Sequence, residues 1–280
     1  MKHTLFTLSL LAIATAAMAS DFTVDKITYE ITSQHTVSIV SADSTIQSAN
    51  LIPTVTHQGI TYSVTSIGER AFENCSSLTS IIIPNTVKRI GNFRGDYGYG
   101  STSVLGNNPY RTGNVFMGCP SLTTIKVDTS NPYYDSRNNC NAIIETATNT
   151  LIAGCQNTFI PNSVTRIADF TFYRCESLTS ITIPSSVTSI GNNVFFGTGI
   201  YNDKSNWRDG ALYINDCLIT LDKNYRGDYT IPEDTRLIAD WAFQDCSFIT
   251  SVTLPNSITH IGCGTFYDCT ALTAITIPNG

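Results

Sequence analysis

Apolar residues recur along this chain at fixed steps within a period of 23. Counting from Phe172, they fall at +3 (Cys175), +6 (Leu178), +9 (Ile181), +11 (Ile183), +15 (Val187) and +18 (Ile190), and Phe195 restarts the series at +23. The same offsets run from Phe243 through Cys246, Ile249, Val252, Leu254, Ile258 and Ile261 to Phe266. Phe72 opens another copy with Cys75 and Leu78, Phe116 one with Cys119 and Leu122, and Phe266 one with Cys269 and Leu272. Proline holds +12 at Pro84, Pro184, Pro255 and Pro278. A period of this length signals units that bury their apolar sides by stacking.

Each unit has a physical reading. Leu178-x-x-Ile181-x-Ile183 alternates as a short strand does when one face is buried. The proline after it cannot donate to a ladder and ends the strand. Val187 and Ile190 turn inward on the returning arm, and Glu69–Asn74 reads as one tight helical turn. Stacked units give a solenoid with a parallel sheet on one side, and the phenylalanines are expected to form one continuous internal row. Thr179, Ser180 and Thr182, with Thr250, Ser251 and Thr253, then face outward on a hydroxyl-rich, nearly uncharged sheet. Threonine suits a pleated surface in any case, and flat repeat faces also serve as contact surfaces.

The pattern I-G-x-x-A-F-x-x-C-x-S-L-T-S-I-x-I-P-x-S-V, carried most fully by Ile67–Val87 (IGERAFENCSSLTSIIIPNTV), resembles the BspA-like subclass of leucine-rich-repeat surface proteins. The resemblance runs from Phe22 to Gly280. It implies a leucine-rich-repeat solenoid of the repeat α/β class, mostly β, with a parallel sheet on one face, short helical turns and a β-rich N-terminal cap. We place that cap at residues 20–61 and the repeats at 62–280. Insertions fall near 92–112, 128–160 and 198–230. The second and third contain apolar pairs that read as hairpins or enlarged arms kept within the stack. The last repeat stops at +14, so a longer array is expected.

Composition narrows the function. The chain has 280 residues, of which 42% are hydrophobic and 14% charged, with a net charge of −6. Disorder is excluded by the apolar content, and no basic face invites nucleic acid or an anionic membrane. Met1–Ser20 begins with Lys2, continues with an apolar stretch and ends in Ala17-Met18-Ala19, the form of a secretory signal over 1–19. The apolar stretch is too short to span a membrane. An exported, secreted or cell-surface protein is expected.

Candidate chemistry is sparse. The chain contains no nucleophile elbow, zincin or P-loop motif. His260-x-x-Cys263 lacks the paired spacing of a zinc site. No catalytic residue, metal or cofactor is therefore assigned. Cys75, Cys119, Cys175, Cys246 and Cys269 share one offset and read as small, soft core residues. Cys140 and Cys155 form the best-placed pair for a disulfide in an exported chain. Arg94-Gly95-Asp96 and Arg226-Gly227-Asp228, both flanked by aromatics, are the sharpest local signal. They read either as tight turns, with glycine supplying the unusual backbone angle, or as integrin-type ligands. The stretch 92–112 is the better display loop.

The resemblance implies adhesion, without enzymatic activity, to host extracellular proteins or to other cells. The rival reading is a structural spacer of a longer surface protein whose active part lies elsewhere. A carbohydrate-active enzyme would need two facing carboxylates, which the sequence does not indicate.

Overall fold

In the computed structural model, residues 21–91 and 115–278 are described. The chain opens with an antiparallel meander, β1 (Phe22–Val24), β2 (Ile27–Ser33) and β3 (Thr36–Ala42). β4 (Ser48–Asn50) comes next, then a hairpin of β5 (Thr54–His57) and β6 (Ile60–Gly68), with β6 parallel to β3. The first full repeat supplies β7 (Ser80–Ile83) and β8 (Arg89–Gly91), and the next supplies β9 (Thr124–Val127). A second meander comprises β10 (Tyr134–Asp135), β11 (Ala142–Glu145) and β12 (Thr150–Gly154). The returning arms of two repeats add β13 (Arg166–Ile167) and β14 (Ser189–Ile190) in parallel.

One helical turn, α1 (Gly199–Asn202), leads into a third meander of β15 (Trp207–Arg208), β16 (Ala211–Ile214) and β17 (Cys217–Leu221). β18 (Gly227–Thr230), β19 (Leu237–Ile238), β20 (Ile249–Thr253), β21 (His260–Ile261) and β22 (Ala274–Thr276) complete the order. The result is a leucine-rich-repeat-type chain, mostly β with almost no helix, built on mixed sheets. Parallel ladders β4-β7-β9 and β18-β20-β22 form two separate sheets, and the second carries Thr250, Ser251 and Thr253. Three mixed sheets each combine a hairpin or meander with the two- or three-residue strands of the returning arms.

Three expectations need correction. The turns around the phenylalanines are not helical. Arg70, Phe170 and Trp241 before them, and Asn74, Arg174 and Asp245 after them, are left-handed at φ +57 to +61°. Alternate N–H groups consequently point along the stack. Phe170, Phe172 and Arg174 donate to the carbonyls of Asn192, Val194 and Phe196 at 2.8–3.1 Å. Trp241, Phe243 and Asp245 repeat this to Cys263, Thr265 and Tyr267.

The parallel sheet is also not continuous, because Leu178–Ile183 forms no strand. Its edge is taken by the insertion downstream: Ile200 N–H donates to the Leu178 carbonyl, and Ile183 N–H donates to Asn215 Oδ1 at 2.8 Å. The phenylalanine row, finally, is broken into three pairs, Phe72–Phe116, Phe172–Phe195 and Phe243–Phe266, with ring centres 5.2–5.9 Å apart. Each pair lies in a separate core cluster, and a meander separates one pair from the next.

Candidate functional site

The +3 cysteines are packing residues in this structure. Cys119 and Cys269 each donate a thiol hydrogen bond at 3.0 Å to the carbonyl of the phenylalanine one repeat earlier, Phe72 and Phe243. Burial pushes the thiols of Cys119, Cys175 and Cys246 up to about 12, which leaves them protonated and poor nucleophiles. All nine cysteines are unpaired, so the expected Cys140–Cys155 bridge is not formed. Cys155 instead directs its thiol to the Asn141 carbonyl, and Cys140 to that of Ala142. Among the described residues no three His, Cys, Asp or Glu side chains gather to hold a metal ion.

The polar sheet face is most complete at β18-β20-β22. Arg226-Gly227-Asp228 is not a free turn. Gly227, at φ +87°, starts edge strand β18, and its N–H donates to the Phe248 carbonyl. The Arg226 guanidinium lies 3.9 Å from the centre of the Phe248 ring. Asp228 Oδ1 accepts from Ser251 and Thr250, each at 2.7 Å, and these hydroxyls hold its carboxyl below the ordinary range. Thr253 is exposed on β20, the strand that also carries Thr250 and Ser251. Thr179, Ser180 and Thr182 are also exposed, but they sit on the unpaired stretch and do not extend this ladder. Arg94, Gly95 and Asp96 lie outside the described residues, as do all of residues 92–112, expected as a display loop, and residues 1–19, expected as a signal.

A concave feature missed in the sequence lies on the turn side. A groove of about 320 Å³ opens between turns 191–196 and 240–245, bordered by Phe196, Tyr201, Trp207 and Trp241. Two of its aromatics occupy the outward steps beside the repeat phenylalanines, +1 (Phe196) and −2 (Trp241). An aromatic at such a step is the signal that could have found it.

A family model described as BspA type leucine rich repeat region matches residues 52–149, 153–206 and 225–280 in six copies. The chain belongs to this family. No curated protein matches the sequence. Among solved structures, a leucine-rich cell surface protein from Faecalibacterium prausnitzii is 22% identical, with 92% of this chain and 76% of that chain covered and a TM-score of 0.36. A leucine-rich repeat protein from Bacteroides ovatus is 21% identical, with 92% and 77% covered and a TM-score of 0.36. Another from Bacteroides capillosus is 23% identical, with 65% and 95% covered and a TM-score of 0.35. Scores this low give the structural likenesses no weight beside the repeat match. Among the described residues no helix is long and apolar enough to cross a membrane.

Proposed function

We propose that this BspA-type repeat protein is a secreted or cell-surface recognition protein. It adheres to host extracellular proteins or to other cells, without enzymatic activity. Its family points to binding, and leucine-rich-repeat proteins are usually protein-binding and generally non-enzymatic. The organisation that fits this role is a solenoid of repeats over 62–280 behind a β-rich cap at 20–61.

The observation that carries the reading is the β18-β20-β22 face. Asp228 on edge strand β18 and Thr250, Ser251 and Thr253 on the central strand β20 form a hydroxyl-rich patch with one carboxylate, and the outer backbone groups of β18 have no strand partner among the described residues. Such a surface gains affinity from many modest contacts along a rigid face. Thr179, Ser180 and Thr182 extend the exposed hydroxyl area beyond the ladder, and Arg94-Gly95-Asp96 is a second candidate contact.

The test is a binding screen of the chain against fibronectin, fibrinogen, collagen and attached cells, with Asp228→Ala and Asp96→Ala alongside. Saturable binding weakened about tenfold by Asp228→Ala is expected, a loss of about 1.4 kcal/mol. Absence of binding to every target by a folded chain would favour the spacer reading. Unchanged binding by both variants would remove the two carboxylates from the site.

A further inference from the structure

We propose that the groove between turns 191–196 and 240–245 binds a short neutral glycan. This inference is independent of the sheet face. The groove exists because the 23-residue spacing fails between Phe195 and Phe243, at the third of the three insertions. Turns a single period apart are zipped by backbone bonds, as Arg174 N–H to the Phe196 carbonyl shows. Between Phe196 and Trp241 the third meander intervenes. Leu221 N–H donates to the Ala242 carbonyl at 2.8 Å, and residues 219–223 line the space between the two turns. The gap of about 320 Å³ lies at the lower end of ligand-pocket sizes, with room for about one or two sugar rings.

One wall is a fixed line of aromatic rings. Tyr173 stacks on Phe196 at 5.5 Å, Phe196 meets Tyr201 at 5.0 Å, and Tyr201 meets Trp207 at 5.3 Å. The Trp207 indole N–H donates to the Tyr201 carbonyl at 2.9 Å, which fixes the ring orientation. Phe196 nevertheless remains 43% exposed. The far wall holds Trp241, in left-handed conformation and edge-on to Tyr267. Such rings offer flat apolar faces to the C–H side of a ligand without losing rotamer freedom on binding.

The polar lining identifies the ligand class. Asn192, Asn193 and Gln244 supply amides. Asp240 is committed to the fold: its Oδ1 accepts from Cys263 N–H at 2.8 Å, and its Oδ2 lies 3.7 Å from Arg166. Of the remaining charges, Asp222 and Asp245 offset Lys204 and Lys223. Lys204 Nζ sits 3.6 Å above the Trp207 ring. A cationic ligand would call for surplus acid, an anionic one for surplus base, and a lipid for an apolar lining throughout. A neutral molecule with an apolar ring face and hydroxyls around its edge satisfies all three features.

The chain has two tryptophans, and both border the groove, so intrinsic fluorescence reads the site directly. The purified chain is titrated with cellobiose, maltose, lactose and N,N′-diacetylchitobiose, with N-acetyl-lysine amide as the cationic control. At least one disaccharide is expected to give a saturable change. Affinity should fall about tenfold in Phe196→Ala and in Gln244→Ala, equivalent to about 1.4 kcal/mol, with circular dichroism unchanged. Phe196→Ala that unfolds leaves Gln244→Ala, read by saturation-transfer NMR on the sugar protons, as the deciding variant. No response to any sugar, a response that survives Gln244→Ala, or binding of the lysine amide alone would overturn the proposal.

Discussion

The second and third meanders share one plan and end in different surroundings. In each, two antiparallel steps lead to a strand that pairs in parallel with a returning arm, β12 with β13 and β17 with β19. Their registers match: Ala142 opposes Gly154, and Ala211 opposes Leu221. Even the register slip falls one step into the hairpin in both. Yet the space lined by Phe116, Gly154 and Phe172 is about 10 Å³, and the groove beside Leu221 is about 320 Å³. The strand plan is therefore common to the two junctions. The side chain at its end, together with the segment leading out of the hairpin, decides whether the turns close. The N-terminal strands β1-β2-β3, with β3 parallel to β6, use the same plan a third time.

The strongest way to break this comparison is to exchange the end residue. A Cβ at Gly154 would lie 2.2 Å from Phe172 Cε1 and 2.8 Å from its Cζ. That ring is fully buried and stacked on Phe195 at 5.5 Å, so it has nowhere to retreat. Gly154→Leu should cost about 3 kcal/mol or more through overpacking. The measurement is the urea midpoint at constant slope. A loss under about 1 kcal/mol would mean that the junction can open, and that glycine does not close it.

A smaller effect is expected from the Arg–Asp pairs that brace the meanders. Arg236 bonds Asp216 at 2.8 and 3.3 Å and also donates to the Val187 carbonyl at 2.7 Å, tying the third meander to an earlier coil. Arg137 bonds Asp135 two residues away, at 2.7–3.1 Å, and reaches only Asn149 and Ser163 beyond it. Arg236→Ala should cost about 2 kcal/mol and Arg137→Ala about 1 kcal/mol, because Arg236 is less exposed than Arg137 and joins distant segments. Burial alone raises the Asp216 carboxyl, but hydrogen bonds from Arg236 and Cys217, with the charge of Arg236, bring it below its ordinary value. Its contribution is thus complete above the unfolded value, about 4, and is lost as pH falls through the folded one. The Arg236→Ala penalty should shrink over that acid range, as thermal unfolding between pH 2 and 6 would show. Equal penalties at every pH would assign the loss to packing.

The repeat core was legible because burial imposes period: Phe72, Cys75, Leu78, Phe116, Cys119, Phe172, Leu178, Phe243 and Cys246 lie buried at the offsets read from sequence. Cys175, Phe266 and Cys269 hold the same offsets but are only partly buried and packed against core clusters. The break at Leu178–Ile183 was not legible. Its local sequence matches that of stretches which do form strands, and its missing partners are displaced by Ile200 and Asn215 from an insertion downstream. The Asp228 patch was half legible. The tripeptide is plain in sequence, but its hydroxyl partners come from a strand 22 residues later. The groove was hidden because aromatics at these outward steps also recur where it is absent, at Tyr173 and Tyr267 (+1) and at Phe170 (−2), so the rings alone do not mark the junction where the turns part.

The helical-turn expectation failed for a reason that yields the gentlest prediction. A-F-x-x-C spacing resembles a helical turn, and left-handed residues are usually flagged by glycine. Here the +2 step is Gly118 and Gly197 in two repeats but Asn74, Arg174, Asp245 and Asp268 in others, all with φ between +57 and +72°. Asn and Asp tolerate this region, whereas an arginine there carries about 1–2 kcal/mol of strain. Arg174→Gly would relieve that strain, keep the N–H bond to the Phe196 carbonyl, and give back about 0.5–1 kcal/mol through the freer unfolded chain. A net gain of about 0.5 kcal/mol in urea unfolding is expected, against almost none for Asn74→Gly. Arg174 also covers Gly197, with its Cγ 3.2 Å from where a Cβ there would stand. A destabilised Arg174→Gly would therefore mean that the arginine stem holds these two turns together by packing, and that the backbone bonds alone do not suffice.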